Sequence, residues 1–235
     1  MRNKVFISYV ICLHILLITV LVKSDFIYKV RMRLQELPDE ITQHYRIMVA
    51  FHSRVDKNLP SGAVYFIGDS HTQGLAVSAI SPHAVNYGIG NDTTVGVIKR
   101  LPQYKSLSTA GAVVLAIGYN DLRRRNNKEI AENIEKILNY LPAQTTIILC
   151  ALHPIGTKVN KSDSYTQRIM ELNSSLEKIS RNYINVTFVS AFEALSDKGN
   201  LISQYHLQDG VHLSKEGYAI WISKLANILK KISTL

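Results

Sequence analysis

A serine, an aspartate and a histidine stand where they could act as one unit: Ser70 within Gly68-Asp69-Ser70, and Asp209 and His212 within Asp209-Gly210-Val211-His212. A serine hydroxyl hardly ionises at neutral pH. It attacks a carbonyl only when an imidazole takes its proton and a carboxylate fixes the tautomer of that imidazole. Three residues of separation let one turn present Asp209 and His212 together, with the carboxylate reaching the ring from the side opposite the serine. The chemistry these residue types support is that of a serine esterase or acyl transferase: an acyl group passes to Ser70 and then to water or to another hydroxyl. Each fragment alone is an ordinary turn signal. Their order and placement must carry the argument.

The elements around them point to an open parallel sheet. Apolar runs at 63–67, 84–87, 112–117, 146–151 and 186–189 alternate with helical patterns, which predicts a three-layer α/β/α, flavodoxin-like domain of about five parallel strands. Ile130, Ile134, Ile137 and Leu138 share one helix face, and Tyr165, Ile169, Leu172, Leu176 and Ile179 share another. A last helix starts near Ser214, a good N-cap, with Trp221, Leu225, Ile228, Leu229 and Ile232 on one stripe. Ligands of such sheets bind outside the carboxyl ends of the strands. Gly68-Asp69-Ser70, Asn86-Tyr87-Gly88 and Gly118-Tyr119-Asn120-Asp121 each follow a predicted strand, while Asp209 and His212 enter the last helix.

In this order and at these places the four fragments resemble the blocks of the SGNH, or GDSL-type, hydrolases, over roughly residues 60–232. The resemblance implies Ser70 as nucleophile, His212 as general base and then general acid, and Asp209 as its orienter. It also implies an oxyanion hole built from the backbone amides of Ser70 and Gly88 and the side-chain amide of Asn120, with no metal or organic cofactor. The eight histidines show none of the paired spacing of a zinc site. Two positions depart from the pattern. His71 replaces the usual leucine and reads either as a polar contact to substrate or as a partly buried residue at the start of a helix. Tyr119 stands where threonine is frequent and either lines the pocket or packs. Arg123, Arg124 and Arg125 follow at the mouth of the site and read as favouring anionic substrates or as a solvated loop.

Composition sets outer limits. The chain has 235 residues, a formal net charge of +9 and two cysteines, Cys12 and Cys150, too differently placed to pair. Its basic residues are dispersed, with no arginine-rich tail or basic and aromatic pattern, which argues against nucleic acid as a partner. Arg2 and Lys4 precede an apolar run over residues 5–22, long enough to cover most of a hydrocarbon core of about 30 Å. The expected organisation is therefore an N-terminal membrane anchor or signal segment at 1–23, a membrane-proximal helical linker at 24–58 and a hydrolase domain at 59–235, exported to the periplasmic or cell-surface side. The substrate expected is an ester of a small acyl group on a glycan or lipid. An O-acyltransferase using the same residues, and a noncatalytic glycan- or lipid-binding domain of the same fold, are the alternatives.

Overall fold

The apolar runs become strands because alternate residues face two separate cores. A computed structural model describes residues 2–23, 40–159 and 164–233. Strands β1 (Val64–Gly68), β2 (Ala84–Gly88), β3 (Ala112–Ala116), β4 (Thr146–Cys150) and β5 (Val186–Val189) form one parallel sheet in the order β2-β1-β3-β4-β5. Tyr65, Ile67, Val113, Leu115, Ile147 and Leu149 join one buried cluster, whereas Phe66, Val114, Ile148 and Cys150 join the other. This is the period of two expected of a pleated strand. Burial on both faces explains why the runs read as almost uninterrupted apolar sequence.

Helices cover each face. Ile130, Ile134 and Ile137 of the Asn127–Tyr140 helix and Leu172 and Leu176 of the Ser164–Ser180 helix pack in the first cluster. Trp221, Leu225 and Leu229 of the Lys215–Ser233 helix pack in the second. Ser214 caps that last helix, accepting the Gly217 N–H at 3.2 Å. The three-layer α/β/α reading of the sequence is thus the observed architecture. Cys150 is free and buried at the end of β4.

Residues 1–39 and 40–235 form two compact units. In the first, α1 runs over Arg2–Lys23. Among the described residues no helix is long and apolar enough to cross a membrane, so the spanning reading of residues 5–22 rests on the sequence alone. Much of the expected linker, residues 24–39, lies outside the described residues.

The second unit begins at Glu40, ahead of the boundary at 59 expected from composition. The reason is α2, Gln43–Asp56, which packs as part of the domain. Its Tyr45 and Val49 cluster with Ile89, and the Tyr45 hydroxyl donates to the Gly96 carbonyl at 2.7 Å. His52 stacks on Tyr87 with centroids 4.6 Å apart, and burial, helped by the Arg100 charge, pushes its pKa down to about 3. Asp56 accepts from the Tyr87 hydroxyl and from Ser106. Ile41, Tyr45, Met48 and Val49 recur at helical spacing in the sequence, which suggests a helix that either packs on the domain or holds it off the bilayer; they pack on it.

Candidate active site

The β1 strand ends at Gly68, and the chain turns at once into a one-turn helix, α3, Ser70–Gln73. Asp69 is its N-cap, with Oδ1 accepting the His71 N–H at 3.0 Å. The next strand braces this turn. Asn86 of β2 donates through Nδ2 to the carbonyls of Thr72 at 2.7 Å and Leu75 at 3.0 Å. Ser70 therefore sits half-buried at the carboxyl end of the sheet on a short segment tied down at both ends.

The histidine beside Ser70 arrives from the far end of the chain. Asp209 and His212 lie in a tight turn closed by the Gly210 N–H on the Leu207 carbonyl at 3.0 Å and the Leu207 N–H on the His212 carbonyl at 2.8 Å. Gly210 adopts φ 72°, a left-handed conformation that side chains disfavour. The Asp209 carboxylate is the hub: Oδ1 accepts the N–H groups of Val211 at 2.9 Å and His212 at 3.0 Å, and Oδ2 lies 2.6 Å from His212 Nδ1. His212 Nε2 lies 2.9 Å from Ser70 Oγ. Burial raises the Asp209 pKa, but the hydrogen bonds from the His212 ring and the two N–H groups outweigh it and hold the carboxyl below its ordinary value. Asp209 thus stays anionic and keeps the His212 proton on Nδ1, leaving Nε2 to accept from the serine. The two side chains are 41% and 46% exposed for His212 and Asp209, so the site is open to water.

Asn120 follows β3 and is also half-buried. Its Nδ2 donates to the Asp92 carbonyl at 2.9 Å, and an amide nitrogen carries two protons, so this bond leaves the second for a ligand. Its neighbour Asp121 is fully buried and accepts from the Thr94 N–H at 2.9 Å, the Thr94 hydroxyl at 2.6 Å and Arg125 Nη1 at 3.1 Å. Asp92 is in turn paired with Arg100 at 2.9 Å, both wholly inaccessible to solvent. Burial works against both charges. It pushes the Asp92 carboxyl up to about 6 despite Arg100, while Asp92 keeps the guanidinium above its ordinary value. Arg100 Nη2 also donates to the Gly68 carbonyl at 3.2 Å, so one buried cation links the loop that holds Asn120 to the strand end that presents Ser70.

Ser70, Asp209, His212 and Asn120 thus lie at the same end of the sheet, as the sequence predicts, but other expected residues take different parts. The N–H of Gly88, expected in the oxyanion hole, donates here to Asn86 Oδ1 at 2.9 Å. A Cβ there would collide with the backbone of Thr72 and Gln73, which makes Gly88 the glycine that lets β2 approach the Ser70 turn. His71 takes the second of its two readings, a buried residue at the start of a helix. Its side chain is buried and both ring nitrogens face protein atoms, so it offers no free polar atom to a substrate. Tyr119 is half-buried beside it, ring centroids 5.7 Å apart, and burial pushes its phenol up to about 12. Arg123 is exposed and Arg124 half-buried, whereas Arg125 is engaged by Glu40 at 2.6 Å and by Asp121. The basic run therefore presents at most its first two members to a ligand. Sequence reasoning missed Asn86 as the brace of the nucleophile turn and Arg100 as its buried tie, because neither carries a chemical signature in the sequence.

Among the described residues no group of three or more His, Cys, Asp or Glu side chains could hold a metal ion. A cavity of about 20 Å³ beside the Ser70 turn is lined by Asp69, His71, Tyr119, His153 and Trp221 and has room for about one water. A larger cavity of about 620 Å³ lies between Met170, Glu177, Phe188 and Phe192, away from the Ser70 turn.

With this geometry in view, the comparisons with known proteins are specific. Residues 66–220 match the model of the GDSL-like Lipase/Acylhydrolase family, from within β1 into the last helix. The chain belongs to that family. Platelet-activating factor acetylhydrolase IB subunit alpha2 from Homo sapiens is 31% identical over 167 residues, covering 66% of this chain and 71% of the relative. A GDSL-like lipase from Bacteroides thetaiotaomicron has the same fold at a TM-score of 0.69 and 21% identity, covering 78% of this chain and 98% of its own. A catalytic mutant of an acetylxylan esterase from Geobacillus stearothermophilus superposes at a TM-score of 0.58 and 18% identity, over 71% and 94%. This GDSL-family chain is a carboxylic ester hydrolase.

Proposed function

We propose that this GDSL hydrolase removes short acyl groups, acetyl above all, from glycan or lipid esters through an acyl-Ser70 intermediate. The observation that carries the reading is the unbroken relay from Asp209 Oδ2 through His212 to Ser70 Oγ, at 2.6 and 2.9 Å. In this reading His212 takes the Ser70 proton as Oγ attacks the ester carbonyl, then returns it to the leaving alcohol. Water attacks the acyl-enzyme in the second half, with His212 again as base and the carboxylic acid as product. Charge on the carbonyl oxygen is met by the Ser70 N–H, one of the orphan donors at the start of α3, and by Asn120 Nδ2. Each such donor contributes about 2.7–4 kcal/mol to the transition state.

Two features support hydrolysis of small acyl groups. The Asp209–His212 pair is open to solvent, which gives water access to the acyl-enzyme. The named acetyl-ester relatives, a platelet-activating factor acetylhydrolase and an acetylxylan esterase, share its family and its fold respectively. On a series of p-nitrophenyl esters, kcat/KM is expected to be highest for acetate and to fall by at least about tenfold by octanoate. A rise with acyl length would replace the acetyl reading with a lipase.

The apolar run of residues 5–22 supports a further part of this proposal, that the chain is held at a membrane with its hydrolase domain on the extracytoplasmic side. The full-length chain should remain in the membrane pellet through an alkaline carbonate wash, and deletion of residues 1–23 should release it. A full-length chain that washes off would remove the anchor from the proposal.

A further inference from the structure

The relay leaves one ionisable group inside the site without a task. His71 is 6% exposed, and its ring meets two oxygens: Nδ1 lies 3.3 Å from Asp69 Oδ1 and Nε2 lies 3.0 Å from the Val211 carbonyl. A carbonyl oxygen only accepts, and so does a carboxylate. Asp69 Oδ1 also takes the His71 backbone N–H, as an ionised N-cap does. A neutral imidazole has one N–H and would turn a lone pair toward one of these oxygens. Only the imidazolium donates to both.

The surroundings fit a positive ring. Asp69 on its own turn and Asp209 on the loop before the last helix are the anions that act on it. Burial opposes the charge, but the hydrogen bond and charge of Asp69, the Val211 carbonyl and Asp209 outweigh it, and the His71 pKa lies above the ordinary histidine value. The other groups against it carry no competing fixed charge. His153, beyond β4, is 5.4 Å away and is held neutral by burial and then by the charge on His71. The Tyr119 ring meets it edge-on, and the Tyr218 hydroxyl donates to the His71 carbonyl at 2.9 Å. The His212 ring lies 5.5 Å away, on the side of the reacting hydroxyl.

We propose that His71 is a positioning residue, a charged strut whose two N–H groups tie the Asp69–Ser70 turn to the Val211 carbonyl and so set the reach from His212 to Ser70. Val211 is gripped twice, its N–H by Asp209 and its carbonyl by His71. The strut therefore fixes the turn that carries both the base and its orienter. This inference rests on the relay of Ser70, His212 and Asp209 being the catalytic one. Because the folded-state pKa of His71 is raised, the double bond to Asp69 and Val211 is fully formed below the ordinary histidine value of about 6.5 and is lost as pH rises through the raised value.

The test is a pair of measurements on the full-length enzyme. The kcat and KM for p-nitrophenyl acetate are followed from about pH 6 to pH 10, corrected for spontaneous hydrolysis, in the wild type and in His71→Gln, a neutral donor that does not titrate in this range. The wild type should lose kcat on the alkaline side, and the variant should lack that limb. At neutral pH the variant should have kcat lower by about 10- to 100-fold with KM within about twofold, the pattern of a misplaced base. Separately, nitrogen-15 spectra of histidine-labelled wild type should show both His71 ring nitrogens protonated at neutral pH. A lone pair on either nitrogen, or an alkaline limb unchanged in His71→Gln, would overturn the proposal. The spectrum does not depend on the variant folding. If Ser70→Ala stayed active while both His71 nitrogens were protonated, the relay reading alone would fail.

Discussion

Replacing Ser70 with alanine is expected to lower kcat/KM on p-nitrophenyl acetate by about 10⁴- to 10⁶-fold while the protein unfolds at an unchanged temperature. The size of the loss follows from the relay. Ser70 Oγ is the atom within 2.9 Å of His212 Nε2, and alanine leaves the base facing a methyl group. What survives is the oxyanion donors and substrate binding, which in comparable triads keep a residual rate well above that of water. The protein itself should tolerate the change, because Ser70 is half-buried at the start of a helix and the capping bond of Asp69 goes to the next residue. Steady-state kinetics beside a fluorophosphonate labelling assay reads both parts. Hydrolysis by Ser70→Ala within tenfold of the wild type would remove Ser70 from the chemistry.

The second large effect is on stability. Arg100→Leu is expected to cost about 3–5 kcal/mol, because it leaves the Asp92 carboxylate buried with no counter-charge, held only by the Thr93 N–H. Neither side chain of the pair touches solvent, so no water can take the place of the guanidinium. The change also removes the donor to the Gly68 carbonyl, at the strand end that presents Ser70. A denaturant melt should therefore show the full loss. The double variant Arg100→Leu with Asp92→Leu should recover much of it, because the uncompensated charge is gone. Equal instability of the single and double variants would show that packing, and not the charge, sets the cost.

The sheet was legible because both of its faces are buried. Runs such as Val113, Val114 and Leu115 contribute to opposite cores in alternation, and that requirement writes itself into composition. The closeness of Ser70, Asp209 and His212 was legible from the order of the four fragments, three after strands and one before the last helix. What the sequence hid were uses of polar atoms that depend on distant geometry. Nothing in Asn86-Tyr87-Gly88 announces that the asparagine oxygen takes the Gly88 N–H and that its nitrogen holds the neighbouring helix. The sequence allows His71 as a buried residue at a helix start, but does not show that Val211, 140 positions away, lies against its ring. The α2 helix was legible from Ile41, Tyr45, Met48 and Val49 at helical spacing, but the parts of its buried His52 and Asp56 were not.

In the relay proposed above, Ser70 and His212 are separated by 142 residues. A ribosome adds roughly 5–20 residues per second, and domains begin to fold as they emerge. The turn bearing Ser70 is therefore made early and waits for several seconds with no partner to take its proton. Until His212 is added and the helix after it packs through Trp221 onto the sheet, Ser70 has no imidazole beside it. If the proposed relay is the catalytic one, the distance along the chain acts as a timer that withholds esterase activity from the half-made protein.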